Sequence, residues 1–146
     1  MITRYKLFES RKPLRIDDYG KLIVWENGDY SISVNSVDDA TYIALWYEGK
    51  KAGEMFLTKG RNMATKDYMT VQNVSIQPKH QGRGLGLEMY KAALKYSSVK
   101  YKGIGGENEQ RSNNKQVPAI YRKLGGRQLE DGSFVIDRDT YIVGNG

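Results

Sequence analysis

Along the first half of the chain, apolar and polar residues change places with a period near two, and this rhythm predicts strands. YSISVN over 30–35 alternates cleanly, as a half-buried strand does. Leu22 to Trp25 is a short apolar run and a strand candidate. TYIALWYE over 41–48 is apolar on both sides and rich in β-formers, as a central strand would be. A tight turn at Gly49-Lys50 sends the chain back through Ala52–Thr58, making the clearest hairpin of the sequence. A polar loop over 59–66 leads to another strand at Tyr68–Ile76.

From Gly84 to about Ser97 the period changes. Leu85, Met89, Ala92, Ala93 and Tyr96 fall at helical intervals, and Leu87, Tyr90 and Leu94 broaden their stripe. Tyr101 to Glu107 reads as a strand weakened by three glycines. A polar loop follows over 108–116. A second helix is predicted from Pro118 through Leu124, stopped by Gly125-Gly126. Strands are expected at 127–130, 133–137 and 140–143, with a turn at Asp131-Gly132. The first 20 residues are mixed and polar, an irregular arm or a weak edge strand. This order predicts an α/β (α+β) domain: a mixed, mostly antiparallel sheet with helices packed on it.

Composition narrows the classes. The 146 residues suit one domain, 1–146. No apolar run approaches the roughly 20 residues that cross a bilayer, and the first residues lack the apolar core of a signal peptide. No membrane partner and a cytoplasmic location are therefore expected. The absence of cysteine excludes thiolate nucleophiles and thiolate metal sites, and one histidine builds no histidine-rich centre, so no metal is expected. His80 is expected to face solvent and to take no catalytic part. A net charge of +6 permits an anionic partner, nucleic acid or a polyphosphate cofactor, but no basic block of five or more occurs.

The chemistry concentrates at VSIQPKHQGRGLGLEMYKAALKY, residues 74–96. A strand end, a glycine-rich turn and a helix start leave several amides pointing into one space, where the helix adds about half a positive charge. Such a bend receives phosphate. A dinucleotide fingerprint is excluded, because Gly82 and Gly84 are followed by Leu87 where its third glycine belongs. No Walker A run exists either. What remains is Gln81-Gly82-Arg83-Gly84-Leu85-Gly86 after Ile76-Gln77-Pro78. This resembles the acetyl-CoA loop of the GNAT superfamily of N-acetyltransferases, whose pattern is Gln or Arg, two residues, Gly, one residue, then Gly or Ala. A second segment is similar to that family too. In NKQVPAIYRKLG, residues 114–125, Asn114, Val117, Tyr121, Lys123 and Gly125 occupy the family's places in order. Two departures stand out. Gly126 replaces a usual aromatic residue, and residues 1–40 show no sign of the two helices that shape the family's acceptor site.

The resemblance implies a single acyltransferase domain using acetyl-CoA as co-substrate. Gln81 to Gly86, Arg83 included, would hold the diphosphate, and Lys79 would add positive charge. Backbone of Val74 and Ile76 would pair with the pantetheine amides, with Gly103 to Gly106 helping two strands to splay. Asn114 would bond the pantetheine or the surroundings of Tyr121. Tyr121 matches the family's usual general acid for the departing thiolate; a phenol with a pKa near 10 suits that task. A lysine amine, with a pKa near 10.4, needs help to lose its proton. Glu54 and Glu107 are the candidate bases. Lacking cysteine, the chain is expected to transfer acetyl directly to a primary amine of a small molecule or a protein. Aminoacyl-tRNA stays open on charge, and so does a homodimer that completes the acceptor cleft. Two other readings remain: a module that binds CoA or another polyphosphate without turnover, and a basic nucleic-acid-binding protein.

Overall fold

The computed structural model describes residues 14–106 and 116–139. Among these residues nine strands form one sheet, and its pairing follows chain order almost throughout. They are β1 (Arg15–Ile16), β2 (Leu22–Asn27), β3 (Tyr30–Val37), β4 (Ala40–Tyr47), β5 (Lys50–Lys59), β6 (Tyr68–Ile76), β7 (Gly103–Gly106), β8 (Arg127–Gln128) and β9 (Phe134–Asp137). Two α-helices accompany them, α1 (Leu85–Tyr96) and α2 (Gln116–Lys123), with a 3-10 turn at Pro78–His80. The sheet order is β1-β2-β3-β4-β5-β6-β7-β9-β8, and only β6 and β7 run parallel. The sheet is thus mixed and mostly antiparallel, as the pattern predicts. The fourth sequence-predicted strand of the C-terminal half, 140–143, lies outside the described residues, as does the segment before Leu14.

Strand boundaries move by a few residues for local reasons. The β4–β5 turn falls on Glu48-Gly49, one residue earlier than expected, because both residues take positive φ (50° and 80°) and leave Lys50 free to pair with Tyr47. Such a two-residue bend matches the twist of the strands it joins. β3 passes to β4 through Asp38-Asp39 alone. No helix precedes Pro78 among the described residues. The missing N-terminal helical pattern is therefore a true feature of residues 14–77.

Within the glycine-rich stretch, Gly103–Gly106 form β7, with all four residues buried. Its glycines serve close approach rather than loosening: a Cβ on Gly103 would lie 1.8 Å from the Ile136 carbonyl oxygen of β9. The core lies on one face of the sheet. Ile32, Ile43, Leu45, Met55, Leu57 and Met69 meet Leu85, Met89, Ala93 and Leu94 of α1 and Tyr121 of α2 in a single cluster. Each such side chain, fully buried, contributes about 1.5–3 kcal/mol. The opposite face carries Tyr42, Trp46, Glu54 and Phe56. There Trp46 Nε1 donates to Ser33 Oγ at 2.9 Å, and Lys21 Nζ sits 3.4 Å from the centre of the Trp46 ring.

Two polar contacts lock the C-terminal strands. Arg138, 4% exposed, donates to the carbonyl oxygens of Leu94 (2.8 Å) and Tyr101 (2.7 Å) and to Ser97 Oγ (2.8 Å). It thereby satisfies the Leu94 carbonyl in the last turn of α1. Tyr68 Oη donates to Asp137 Oδ1 at 2.5 Å, and Arg127 Nε to Asp137 Oδ2 at 2.9 Å. None of the described helices is long and apolar enough to cross a membrane.

Two outcomes follow for stability. Arg138→Leu leaves buried carbonyls unmet and is expected to cost about 2–3 kcal/mol in urea unfolding. For Asp137, burial pushes the carboxyl up, but the hydrogen bonds from Tyr68 and Arg127 and the charges of Arg127 and Lys102 outweigh it and hold it below its ordinary value. A folded value below the unfolded one means that ionised Asp137 stabilises above about pH 4, and that this contribution is lost as pH falls further. Asp137→Asn should therefore lower stability at pH 7 and flatten its decline between about pH 4 and pH 2, read by denaturant titration across that range.

Candidate functional site

The site begins where β6 and β7 part. They pair only over Tyr68–Thr70, against Gly103–Gly105. From Val71 to Ile76 the β7-facing edge of β6 has no strand beside it among the described residues. On the other edge β5 pairs with β6 as far as Ile76, with Gln72 bulged out of register. The Gln77 amide donates to Ala52 of β5 at 2.9 Å. Because backbone groups alternate sides along a strand, the amides of Ser75 and Asn73 also turn to β5. Those of Val74 and Ile76 turn to the open edge. The sequence expectation for these two residues thus coincides with the strand's own phase.

After Ile76 the chain makes the Pro78–His80 turn, with proline in its first position, where its missing N–H costs nothing. Gln81 Nε2 donates to the Ile76 carbonyl at 2.8 Å and ties the loop to the strand end. Gly82 and Gly84 both take left-handed φ, 77° and 76°, and Gly84 is the N-cap of α1. Gly84 has no side chain to cap the helix, and among the described residues no acceptor meets the amides from Gly82 to Leu87. Nearly a full turn of N–H groups is thus left for a ligand, at the positive end of a twelve-residue helix. A Cβ on Gly82 or Gly84 would meet nothing within 4 Å. These glycines are required by φ and by whatever approaches the loop, not by protein packing.

The loop and the open edge face one cavity of about 560 Å³. Val74, Ser75, Ile76, Gln81, Gly82, Gly84, Leu85 and Gly86 line it, and Tyr90, Ala119, Ile120 and Lys123 complete its wall. A second cavity of about 750 Å³ lies across the loop, lined by Arg83 among others. Of the sequence-predicted binding residues, all but Arg83 and Asn114 thus line the first cavity. Asn114 lies outside the described residues, and so does Glu107. Tyr121 is fully buried and does not line the cavity. It packs edge-on against Tyr90 (5.5 Å between ring centres) and tilted against Phe134 (5.8 Å), one ring behind the wall.

Glu54 lies on the central strand β5, away from both cavities. Its Oε1 accepts from Lys51 Nζ and from Tyr42 Oη, each at 2.8 Å. These bonds, Lys51's first, hold its carboxyl below the usual range. Such a carboxylate takes up a proton less readily than a free one.

His80 departs from expectation. It is 5% exposed rather than solvent-facing. The Pro78 turn tips it inward, where its Nδ1 lies 2.7 Å from Tyr30 Oη and its ring 4.9 Å from that of Tyr47. Tyr90 and Lys123 were also missed as site residues. The signal for Tyr90 was present, since it follows Gly86 by one helical turn.

The sequence of this chain matches the family model described as "Acetyltransferase (GNAT) family" over residues 4–126. No curated protein matches it. Among solved structures, the fold is similar to that of an acetyltransferase of the GNAT family from Streptococcus pneumoniae, with 15% identity, TM-score 0.49, and coverage of 68% of this chain and 66% of that one. It is similar to a protein of Bacillus anthracis str. Ames in complex with acetyl coenzyme A, with 16% identity, TM-score 0.50, and coverage of 68% and 61%. It is also similar to AtaTR bound with AcCoA, with 16% identity, TM-score 0.50, and 73% coverage of each chain. This chain spans less than two thirds of the length of the first two.

Gly84→Ala tests the loop. Forcing a side chain into left-handed φ should cost about 1–2 kcal/mol of stability, seen as a lower thermal midpoint. Calorimetry should show acetyl-CoA affinity falling by roughly tenfold or more, as a misplaced loop loses its amide contacts.

Proposed function

Because the chain belongs to the acetyltransferase (GNAT) family, we propose that it moves an acetyl group from acetyl-CoA to a primary amine. The observation that carries this reading is the run of unmet amides from Gly82 to Leu87 beside the open edge of β6. In this reading the amides hold the diphosphate. The pantetheine lies along the edge of β6 and pairs with Val74 and Ile76, as a short added strand would. The cavity between β6 and α2, about 560 Å³, has the mixed polar and apolar lining that such an arm needs.

The neutral amine attacks the thioester carbonyl. A C–N bond forms and the C–S bond breaks. The developing oxyanion is met by a strand amide near Ile76. The thiolate takes the Tyr121 proton once binding brings that buried hydroxyl to the cavity wall, and solvent then replaces the proton. Tyr90, beside Tyr121, lines the arm's path. The amine gives its proton to water. Glu54, tied to Lys51 and Tyr42, serves in this proposal as a fixed negative charge and not as the base. The acceptor is a small-molecule or protein amine, and the charge of +6 keeps an aminoacyl-tRNA in view.

One observation favours a second reading, a CoA-holding module without turnover. Residues 14–77 carry strands where the family resemblance implies acceptor-shaping helices. Thiol release on a panel of amines separates the two. Binding of acetyl-CoA without amine-dependent thiol release would favour the module.

Under the catalytic reading, Tyr121→Phe should lower kcat by roughly tenfold or more. The KM for acetyl-CoA should hardly move, since the proton goes only to the departing thiolate and is no part of ground-state binding. Steady-state thiol release checks this, and an unchanged kcat would remove Tyr121 from the mechanism.

A further inference from the structure

The cavity of about 560 Å³ beside the open edge of β6 holds a primary amine of the chain itself. Of its lining residues, only Lys123 carries one. Lys123 ends α2, and Ala119 and Ile120, one helical turn earlier, line the same cavity. Residues spaced by three and four positions share a helix face, so Lys123 belongs to the face of α2 that forms this wall. Its side chain is exposed. A lysine has a flexible four-carbon stem, which lets the amine sweep the space beside its wall.

Several other lysines are held by acids. Lys51 Nζ lies 2.8 Å from Glu54, Lys100 Nζ 2.6 Å from Asp39, and Lys91 Nζ 3.4 Å from Glu88. No carboxylate lines the 560 Å³ cavity. Lys79, the other lysine near the loop, lines the larger cavity instead. Under the reading above, the acetyl-bearing arm lies in the space onto which Lys123 opens. An amine kept beside a thioester reacts as if at very high concentration, because their encounter is already made.

We infer that Lys123 is a self-acetylation site, modified by the acetyl-CoA bound to its own chain. This rests on the acetyl-CoA reading and adds an acceptor that the protein itself carries. Lys123 Nζ, as the neutral amine, attacks the thioester carbonyl carbon. The N–C bond forms, the C–S bond breaks, and the electron pair of that bond leaves on sulfur. The surplus Nζ proton passes to water, and the thiolate is protonated as it is with a free amine. The products are acetylated Lys123 and free CoA, once per chain. The step removes a positive charge from the cavity wall and leaves a neutral amide. When no free amine is present, the protein thereby marks its own cavity.

The test is peptide mapping by mass spectrometry after the full chain is incubated with acetyl-CoA and no added amine. Calorimetry on the same preparation reads the binding of acetyl-CoA. Lys50 and Lys66, both exposed and outside this cavity, report uncatalysed acetylation. Lys123 should gain its acetyl group at least roughly tenfold faster than either. The rate per chain should not change with protein concentration, since amine and thioester share one molecule. Unfolding in urea should bring Lys123 down to the rate of the two controls. Lys123→Arg should remove this label and leave the labels on Lys50 and Lys66 as they were. If acetyl-CoA binds and Lys123 is labelled no faster than the controls, the inference falls while the acetyl-CoA reading stands. A rate per chain that climbs with protein concentration also overturns it, because the acetyl group then comes from another molecule. If acetyl-CoA does not bind, both fall.

Discussion

The early parting of β6 from β7 is the constraint on which the rest of the molecule turns. The two strands share three residues of parallel pairing and then separate. An unpaired strand edge inside a protein is costly, because each buried N–H and C=O without a partner loses roughly the worth of a hydrogen bond. The protein keeps the edge open by building both sides of the gap firmly. β5 holds one side of β6 to its last residue, and β9 clamps β7 so tightly that Gly103 has no room for a methyl group. The gap is therefore an architectural feature, held in place by packing far from the edge itself.

The two ends of α1 are treated in opposite ways. At the C-terminal end, the buried Arg138 guanidinium meets the Leu94 carbonyl and Ser97 Oγ. At the N-terminal end, a glycine stands where a capping Ser, Thr, Asp or Asn would stabilise the helix by about 1 kcal/mol. A helix with one end satisfied and the other bare directs its field outward at the bare end. Gln81 ties the loop to Ile76, so this bare end sits beside the open edge of β6. One short segment of sequence, 74–87, thus brings together a row of strand amides and a helix start.

Much of this was legible in the sequence, because it is written in local rules. The period of two across 30–58, the change to a period of 3.6 after Gly84, and the Gln81–Gly86 spacing each report a local backbone preference. Tyr68–Ile76 even has the expected bounds. What was not legible depends on distant partners. His80 looked like a polar loop residue, yet Tyr30 and Tyr47 stand 50 and 33 positions earlier in the chain and enclose it (80 − 30 and 80 − 47). The glycines of 103–106 looked like looseness. Their cause is the pressure of β9, which lies over 30 residues later in sequence. Gly126, where the family resemblance implies an aromatic residue, has the same kind of reason. A Cβ there would meet the Tyr121 carbonyl oxygen at 2.8 Å and that of Val135 at 2.9 Å.

The replacement of helices by strands in residues 14–77 changes what the sheet can present. A two-residue link joins β3 to β4, so nothing in that connection covers the face that carries Tyr42, Trp46, Glu54 and Phe56. Phe56 is left 39% exposed on a central strand. Two polar groups on this face are answered within the face itself, Trp46 by Ser33 and Glu54 by Tyr42 and Lys51. Such internal pairing lets these groups stand on the sheet face with no helix above them among the described residues. The same pairing lowers the proton affinity of Glu54, so satisfying this face and supplying a strong base from it are opposed demands. The internally paired face built by β4 and β5 is therefore a poor source of a strong base.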